Sequence, residues 1–128
     1  MKKPFMLLTV VYCAGIFWVS SQPRLPTFTH VFGYEDKLLH AAVFAGLAVM
    51  VSYGMRYSER DWPRRWQFAL PLLFAAFYGA TDELHQLFVP NRYAALGDWL
   101  ADVCGALLVQ WLLCFRVWPR QAARADGP

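Results

Sequence analysis

Four polar residues interrupt one of the most apolar parts of the chain, in the stretch GATDELHQLFVP at residues 79–90. They are Asp82, Glu83, His85 and Gln86, and they follow the run WQFALPLLFAAFY, which is typical of a buried or lipid-facing helix. A carboxylate placed in hydrocarbon costs roughly 3 kcal/mol even on the more lenient insertion scales. Asp82 and Glu83 are therefore expected to meet water, a cation or a hydrogen-bonding partner, as the residues of a binding or catalytic site do.

Acidic and imidazole groups of this kind could carry two sorts of chemistry. Glu83, Asp82 and His40 are candidates for general acid and base, because burial beside like charges tunes carboxyl groups for proton transfer. Together with Asp98 and Asp102 they could also hold a divalent ion, and oxygen-rich ligation suits magnesium, calcium or manganese. Covalent catalysis is disfavoured, because no serine belongs to this group and the cysteines lie elsewhere in the sequence.

A second group of polar residues is predicted to bind a ligand rather than to react with it. Residues three or four apart share a helix face, so the spacing predicts one-turn polar stripes on three helices. The predicted ligand-binding residues are Asp36, Lys37, Gln86, Arg92, Asp98 and Asp102. Lys37 and Arg92 could neutralise the acids or contact a phosphate.

Composition indicates a membrane protein of one domain. The 128 residues are 58% hydrophobic and 16% charged, with a mean hydropathy of +0.29, whereas soluble domains average about 25% charged residues. The net charge of +3 is not gathered on one stripe, so no nucleic-acid partner is predicted. Three cysteines, all inside apolar runs, argue against a disulfide framework.

The elements that must position the polar residues are four apolar segments. They predict membrane helices at about residues 4–21, 37–56, 66–89 and 96–118, since a span needs about 20 residues. The predicted fold class is all-α: an integral membrane bundle of four transmembrane helices over residues 1–118, with a flexible cytoplasmic tail at 119–128. Small residues four apart let helix backbones approach in lipid. Such pairs are Ala42 and Gly46, Ala75 and Gly79, Ala76 and Ala80, and Ala101 and Gly105.

The first apolar segment allows a second interpretation. Lys2 and Lys3, a short apolar run and the sequence VSSQ together resemble a secretory signal peptide. The aromatic and branched residues that continue to Trp18 favour a membrane helix instead. Cleavage would leave a bundle of three helices.

Basic residues predict the orientation, because loops rich in lysine and arginine stay in the cytoplasm. They lie before the first helix, between the second and third, and after the fourth: Lys2, Lys3, Arg56, Arg60, Arg64, Arg65, Arg116, Arg120 and Arg124. Both termini are therefore predicted on the cytoplasmic side of the inner membrane. The polar groups of all three site-bearing helices then converge on the outer leaflet.

Three ordered motifs resemble those of the VanZ-like family, small membrane proteins named for a teicoplanin-resistance determinant. DKLLH runs from Asp36 to His40, DELHQ from Asp82 to Gln86, and NRYAALGDWLADVCG carries Arg92, Asp98, Asp102 and Gly105. The resemblance covers roughly residues 36–109. At Asp102 the family pattern leads one to expect asparagine, so this chain has one more negative charge. The resemblance implies an integral membrane protein that lowers susceptibility to glycopeptide antibiotics, teicoplanin more than vancomycin.

Three functions stay open on these grounds. The outer pocket could bind a membrane lipid or lipid-linked envelope precursor without reaction. Alternatively, the same residues could catalyse acid–base or metal-assisted chemistry on a lipid headgroup. Transport or proton relay ranks last, because the polar groups stop at one leaflet.

Overall fold

A computed structural model describes residues 3–23 and 34–118, and all regular structure within these ranges is helical. Four α-helices follow one another: α1 (Lys3–Ser20), α2 (Glu35–Arg56), α3 (Arg64–Gln86) and α4 (Leu96–Leu112), which continues into a π-helical segment (Leu113–Val117). The prediction of an all-α fold is confirmed. The tail predicted at 119–128, with its two arginines, lies outside the described residues, as does most of the first interhelical loop.

Helix α3 ends three residues before its predicted end at residue 89. Beyond Gln86 the backbone closes into tighter turns, in which Leu87, Phe88 and Val89 donate to the carbonyls three residues earlier. Pro90 explains this ending, because a proline disfavours helical geometry in the residue before it. The earlier end brings the DELHQ motif to the last turn of the helix.

Three of the helices are long and apolar enough to cross a membrane: Lys3–Ser20, Glu35–Arg56 and Leu96–Val117. The protein is thus a helical membrane protein. Helix α3, with 23 residues, is about 34 Å long at 1.5 Å per residue, which matches a bilayer core in length. Its composition, not its length, separates it from the other three, because polar residues occupy both of its ends.

The interior of the bundle lies between α2, α3 and α4. Helix α4 packs most extensively on α2, and α1 contacts α2 more than α3. The buried core consists of Phe44, Leu47, Ala48, Ala75 and Ala106. Large apolar side chains on the outer faces are exposed, as expected of helices that meet lipid rather than water.

Small residues permit the close contacts between these helices, as their spacing predicted. A Cβ atom added at Gly105 of α4 would collide with the backbone carbonyl of Ala41 in α2. One added at Gly46 would collide with the hydroxyl of Tyr12, which donates to the Val43 carbonyl at 2.9 Å. The α2–α4 interface therefore brings backbone against backbone one residue after His40.

The two ends of the bundle differ in chemistry. Where α2 ends and α3 begins, arginine guanidinium groups lie over aromatic rings: Arg56 over Trp118, Arg60 over Trp62, Arg64 over Phe115 and Arg116 over Trp111. Arginine paired with tryptophan is typical of a membrane interface. The carboxylates of the sequence motifs lie at the opposite end, where α2 and α4 begin and α3 ends.

Candidate functional site

The polar residues form two clusters at this end of the bundle. We call the first the three-helix cluster, because it lies between α2, α3 and α4; its members are Lys37, His40, Glu83, Asp98 and Asp102. The second, the α1–α3 cluster, consists of Ser20, Ser21, Asp82, His85 and Gln86.

Helix geometry explains why the adjacent acids belong to different clusters. Successive residues of an α-helix point about 100° apart, given 3.6 residues per turn. Asp82 faces α1, whereas Glu83 faces α2 and α4. The single pocket expected from the sequence is thus divided, and Asp82, Gln86 and Arg92 lie against α1 rather than in the three-helix cluster.

Two side-chain contacts join α2 to α4 in the three-helix cluster. His40 Nδ1 lies 3.0 Å from Asp102 Oδ1, and Lys37 Nζ donates to Asp98 Oδ1 at 2.7 Å. The lysine side chain is 43% exposed, which places this pair at the rim. Asp102 is fully buried, so the histidine pair lies deeper in the bundle.

Glu83 connects α3 to the start of α4. Its Oε2 atom accepts a hydrogen bond of 2.7 Å from the backbone N–H of Ala95, the residue that precedes α4. This contact holds the short connection between the two helices against the acid. It uses only one of the two carboxylate oxygens.

Two buried carboxylate oxygens of this cluster have no hydrogen-bond partner among the described residues: Glu83 Oε1 and Asp102 Oδ2. Glu83 is 7% exposed and Asp102 is fully buried. A Cβ atom added at Gly79 would lie 2.8 Å from Asp102 Oδ2, so a side chain at that position would crowd this oxygen. Buried polar atoms are paired in more than about nine cases in ten, so these two oxygens are candidates to accept a hydrogen bond from a bound group or to coordinate a cation.

Two sets of three residues in this region bring one ligand atom each within 4.8 Å of the others. One set is His40, Glu83 and Asp102; the other is Asp36, His40 and Asp98. Chemically, such sets can accept hydrogen bonds, exchange protons or coordinate a cation.

The α1–α3 cluster, in contrast, is satisfied internally. Ser20 Oγ donates to Asp82 Oδ1 at 2.5 Å, and Gln86 Nε2 donates to Asp82 Oδ2 at 3.1 Å. The expectation that no serine lies among the acids is wrong, because it overlooked the role of Ser20. Its position at the end of an apolar run, level with the DELHQ motif, was the signal that could have revealed it.

His85 and Arg92 complete the contacts with α1. The His85 ring lies 4.4 Å from the Phe17 ring centroid, with its Nε2 atom 3.0 Å from Ser21 Oγ. Arg92 donates through Nε to the Gln22 carbonyl at 3.0 Å and through Nη2 to the Val19 carbonyl at 3.2 Å. Arg92 thus adds donors to carbonyl groups at the end of α1, where the helical hydrogen-bond ladder ends. The Val19 carbonyl also accepts from the backbone N–H of Gln22 at 3.2 Å.

A family model described as VanZ/LLP1 matches residues 5–117 of the chain. The protein belongs to the VanZ/LLP1 family. The resemblance drawn from the three motifs is confirmed, and the match also includes α1, which carries none of them. No curated protein and no solved structure matches the chain.

Among the motif residues of this VanZ/LLP1 protein, Asp102 departs from the pattern on which the resemblance rests. An asparagine there could still contact His40, but it would bring no charge. The aspartate gives the three-helix cluster a third buried carboxylate, in addition to Glu83 and Asp98, and one of its oxygens is left unpartnered.

Proposed function

We propose that all four helices span the inner membrane, with both termini in the cytoplasm and the two polar clusters at the outer leaflet. The length of α3 supports a fourth span. The arginine–aromatic contacts gathered at the opposite end support the orientation. Contacts of α1, including the Tyr78 hydroxyl donating to the Cys13 carbonyl at 2.7 Å, favour its retention over cleavage as a signal peptide.

Reporter fusions test this orientation. A reporter joined after Arg64 is expected to be active only as a cytoplasmic reporter, because arginine-rich loops remain on that side. A periplasmic reporter inserted near Asn91, between α3 and α4, is expected to be active outside. A pair of fusions with the reverse activities would place the polar clusters at the cytoplasmic face and remove the envelope as their partner.

We propose further that the three-helix cluster binds the polar headgroup of a membrane lipid or a lipid-linked envelope precursor, and thereby lowers susceptibility to teicoplanin. The observation that supports this most directly is the pair of buried, unpartnered oxygens on Glu83 and Asp102. Hydroxyl or amine groups of a headgroup could donate to them. Lys37 donates to Asp98 with one of its three N–H groups, and its partly exposed ammonium could also donate to a phosphate at the rim.

The depth of the cluster suits a lipid better than a soluble ligand. It lies at the ends of membrane helices, where acyl chains would remain beside the exposed apolar faces of the bundle while the headgroup reaches the carboxylates. Binding of this kind would change what a lipophilic glycopeptide meets at the membrane surface. It requires no bond to be made or broken.

Comparison of cells with wild type, Glu83→Gln or no copy tests the binding proposal. At equal protein levels, wild type is expected to raise the teicoplanin concentration needed to stop growth at least about fourfold, and Glu83→Gln to abolish that increase. Glu35→Gln, the same change at an exposed acid of the same end, is the matched control and is expected to behave as wild type. Equal protection by Glu83→Gln and wild type would contradict the proposal.

One observation favours a second candidate, an enzyme acting on the headgroup. The contact of 3.0 Å between His40 and Asp102 resembles the orientation of a catalytic base by a carboxylate. Mass spectrometry of membrane lipids and lipid-linked precursors in the same strains separates the two functions. A species that appears or vanishes only with wild type would identify an enzyme, whereas unchanged pools with a Glu83-dependent phenotype are expected of a binder.

A further inference from the structure

The three-helix cluster contains more negative charge than its own contacts balance. Lys37 is engaged with Asp98 at 2.7 Å, so that pair is neutral by itself. Glu83 and Asp102 then remain as two buried carboxylates beside one imidazole, and each keeps an oxygen without a partner. Buried charges without compensation are strongly unfavourable, all the more in a membrane.

We propose that His40, Glu83 and Asp102 hold one divalent metal ion of the manganese or zinc type between α2, α3 and α4. One ligand atom of each residue already lies within 4.8 Å of the others. A divalent cation would balance the two carboxylates and could be coordinated by the unpartnered Glu83 Oε1. Asp102 could bind it through Oδ1, which faces His40, or through both of its oxygens. Each helix contributes one ligand, so the ion would also join the three helices at this end.

The distances fit coordination with small movements. Two ligands bound to one ion at about 2.0–2.2 Å each lie about 3–3.5 Å apart. His40 Nδ1 and Asp102 Oδ1 are 3.0 Å apart, so the ion could replace the proton that lies between them. The remaining separations, at most 4.8 Å, need carboxylate movements of about 1 Å to reach such values.

Ligand chemistry selects the class of metal. Magnesium and calcium prefer oxygen ligands, whereas an imidazole nitrogen suits zinc and other transition metals. One imidazole with two carboxylates accommodates both zinc and manganese. Three protein ligands leave at least one coordination position open.

The alternative set of Asp36, His40 and Asp98 is less suited to hold the ion. Asp98 already accepts a hydrogen bond from the Lys37 ammonium, which would repel a cation beside it. Asp36 is less buried than Glu83 and Asp102. His40 belongs to both sets and can serve only one ion, so the deeper set is favoured.

A metal at this position would specify which headgroups the proposed site binds, although the metal site itself does not depend on headgroup binding. With the ion in place, a headgroup phosphate would meet the open coordination position rather than bare carboxylates. The site would then carry a positive centre beside Lys37 and would favour phosphate-bearing headgroups over neutral ones.

Manganese binding to the full-length protein in detergent tests the inference. After removal of metals with a chelator, titration with Mn²⁺ is followed by electron paramagnetic resonance, since bound ions lose the sharp signal of aqueous Mn²⁺. Wild type is expected to bind about one ion per chain, and Zn²⁺ is expected to compete for it. Glu83→Gln, Asp102→Asn and His40→Ala are each expected to weaken binding at least tenfold, whereas Glu35→Gln should bind as wild type does.

Spin-echo spectroscopy of wild type gives a second readout that requires no variant to fold. One imidazole nitrogen coupled to bound Mn²⁺ is expected, because His40 is the only histidine in the proposed set. Binding without nitrogen coupling, binding that survives in Glu83→Gln and Asp102→Asn together, or no binding by wild type would overturn the metal site. A Glu83-dependent teicoplanin phenotype without Mn²⁺ or Zn²⁺ binding would overturn the metal alone, and binding without that phenotype would overturn the headgroup proposal alone.

Discussion

Replacement of Gly105 by alanine is expected to lower the free energy of unfolding by about 3 kcal/mol, at the upper end of the usual cost of overpacking. The added methyl group would collide with the carbonyl oxygen and the Cα atom of Ala41. Both obstacles are backbone atoms, which cannot rotate away as a side chain can. Helices α2 and α4 would have to separate along the most extensive interface of the bundle.

The matched control for this change is Gly15→Ala in α1, where nothing lies within 4 Å of the added methyl group. There the better helix propensity of alanine should leave the protein as stable as wild type, or more stable by up to about 1 kcal/mol. Thermal denaturation followed by size-exclusion chromatography, with all proteins in the same detergent, measures both. Equal losses of stability in the two variants would show that α2 and α4 are not in close contact in the membrane.

A larger residue at Gly105 would also disturb the three-helix cluster. Ala41 follows His40 directly, so any separation of α2 from α4 at Gly105 also increases the distance between His40 and Asp102. The glycine of the third motif thus serves the site indirectly: it fixes the spacing of the two helices that carry the histidine and the aspartate.

The sequence was sufficient to predict the helices, because long apolar runs broken by arginines or prolines leave little alternative for a chain in a membrane. The end of α3 was placed three residues too late, although Pro90 was visible. Helix α3 also shows that mean hydropathy alone does not recognise every helix that is long enough to span a membrane. Helix α3 is not among the spans recognised by length and apolar composition, and the acids of the site are among the polar residues at its two ends.

The partners of the acids could not be predicted from spacing alone. Residues four apart share a face, but which neighbouring helix that face meets depends on how the bundle closes. Asp82 therefore accepts a hydrogen bond from Ser20, which lies 62 residues away in the sequence. Arg92 was expected beside the acids or a phosphate, yet its long side chain reaches the carbonyls at the end of α1. In each case a tertiary contact decided the outcome.

Removal of the charge is expected to lower the free energy of unfolding at Asp82 but to leave it almost unchanged at Glu83. Asp82→Asn should lower the free energy of unfolding by about 1–2 kcal/mol, because both of its oxygens accept hydrogen bonds, from Ser20 and Gln86. One amide nitrogen would then face a donor. Ser20→Ala should cost a similar amount and should not add to the first change, because both variants remove the same contact.

Glu83→Gln, in contrast, is expected to change the free energy of unfolding of the metal-free protein by no more than about 0.5 kcal/mol. The amide oxygen of glutamine can still accept the hydrogen bond from Ala95, and a buried charge with an unpartnered oxygen disappears. The same variant should abolish teicoplanin protection, whereas Asp82→Asn should retain Mn²⁺ binding in the fraction that folds. Unfolding titrations in mixed micelles measure the first effect, and the susceptibility assay measures the second.

This contrast separates a structural acid from a functional one at neighbouring positions of one helix turn. A residue that binds a ligand keeps unsatisfied groups in the empty protein, so its removal costs function rather than stability. A residue that joins helices has its groups satisfied within the fold, and its removal costs stability first. The opposite outcome is that Glu83→Gln destabilises the protein as much as Asp82→Asn does. Glu83 would then be a second structural contact between helices, and the proposal that the three-helix cluster binds the ligand would be contradicted.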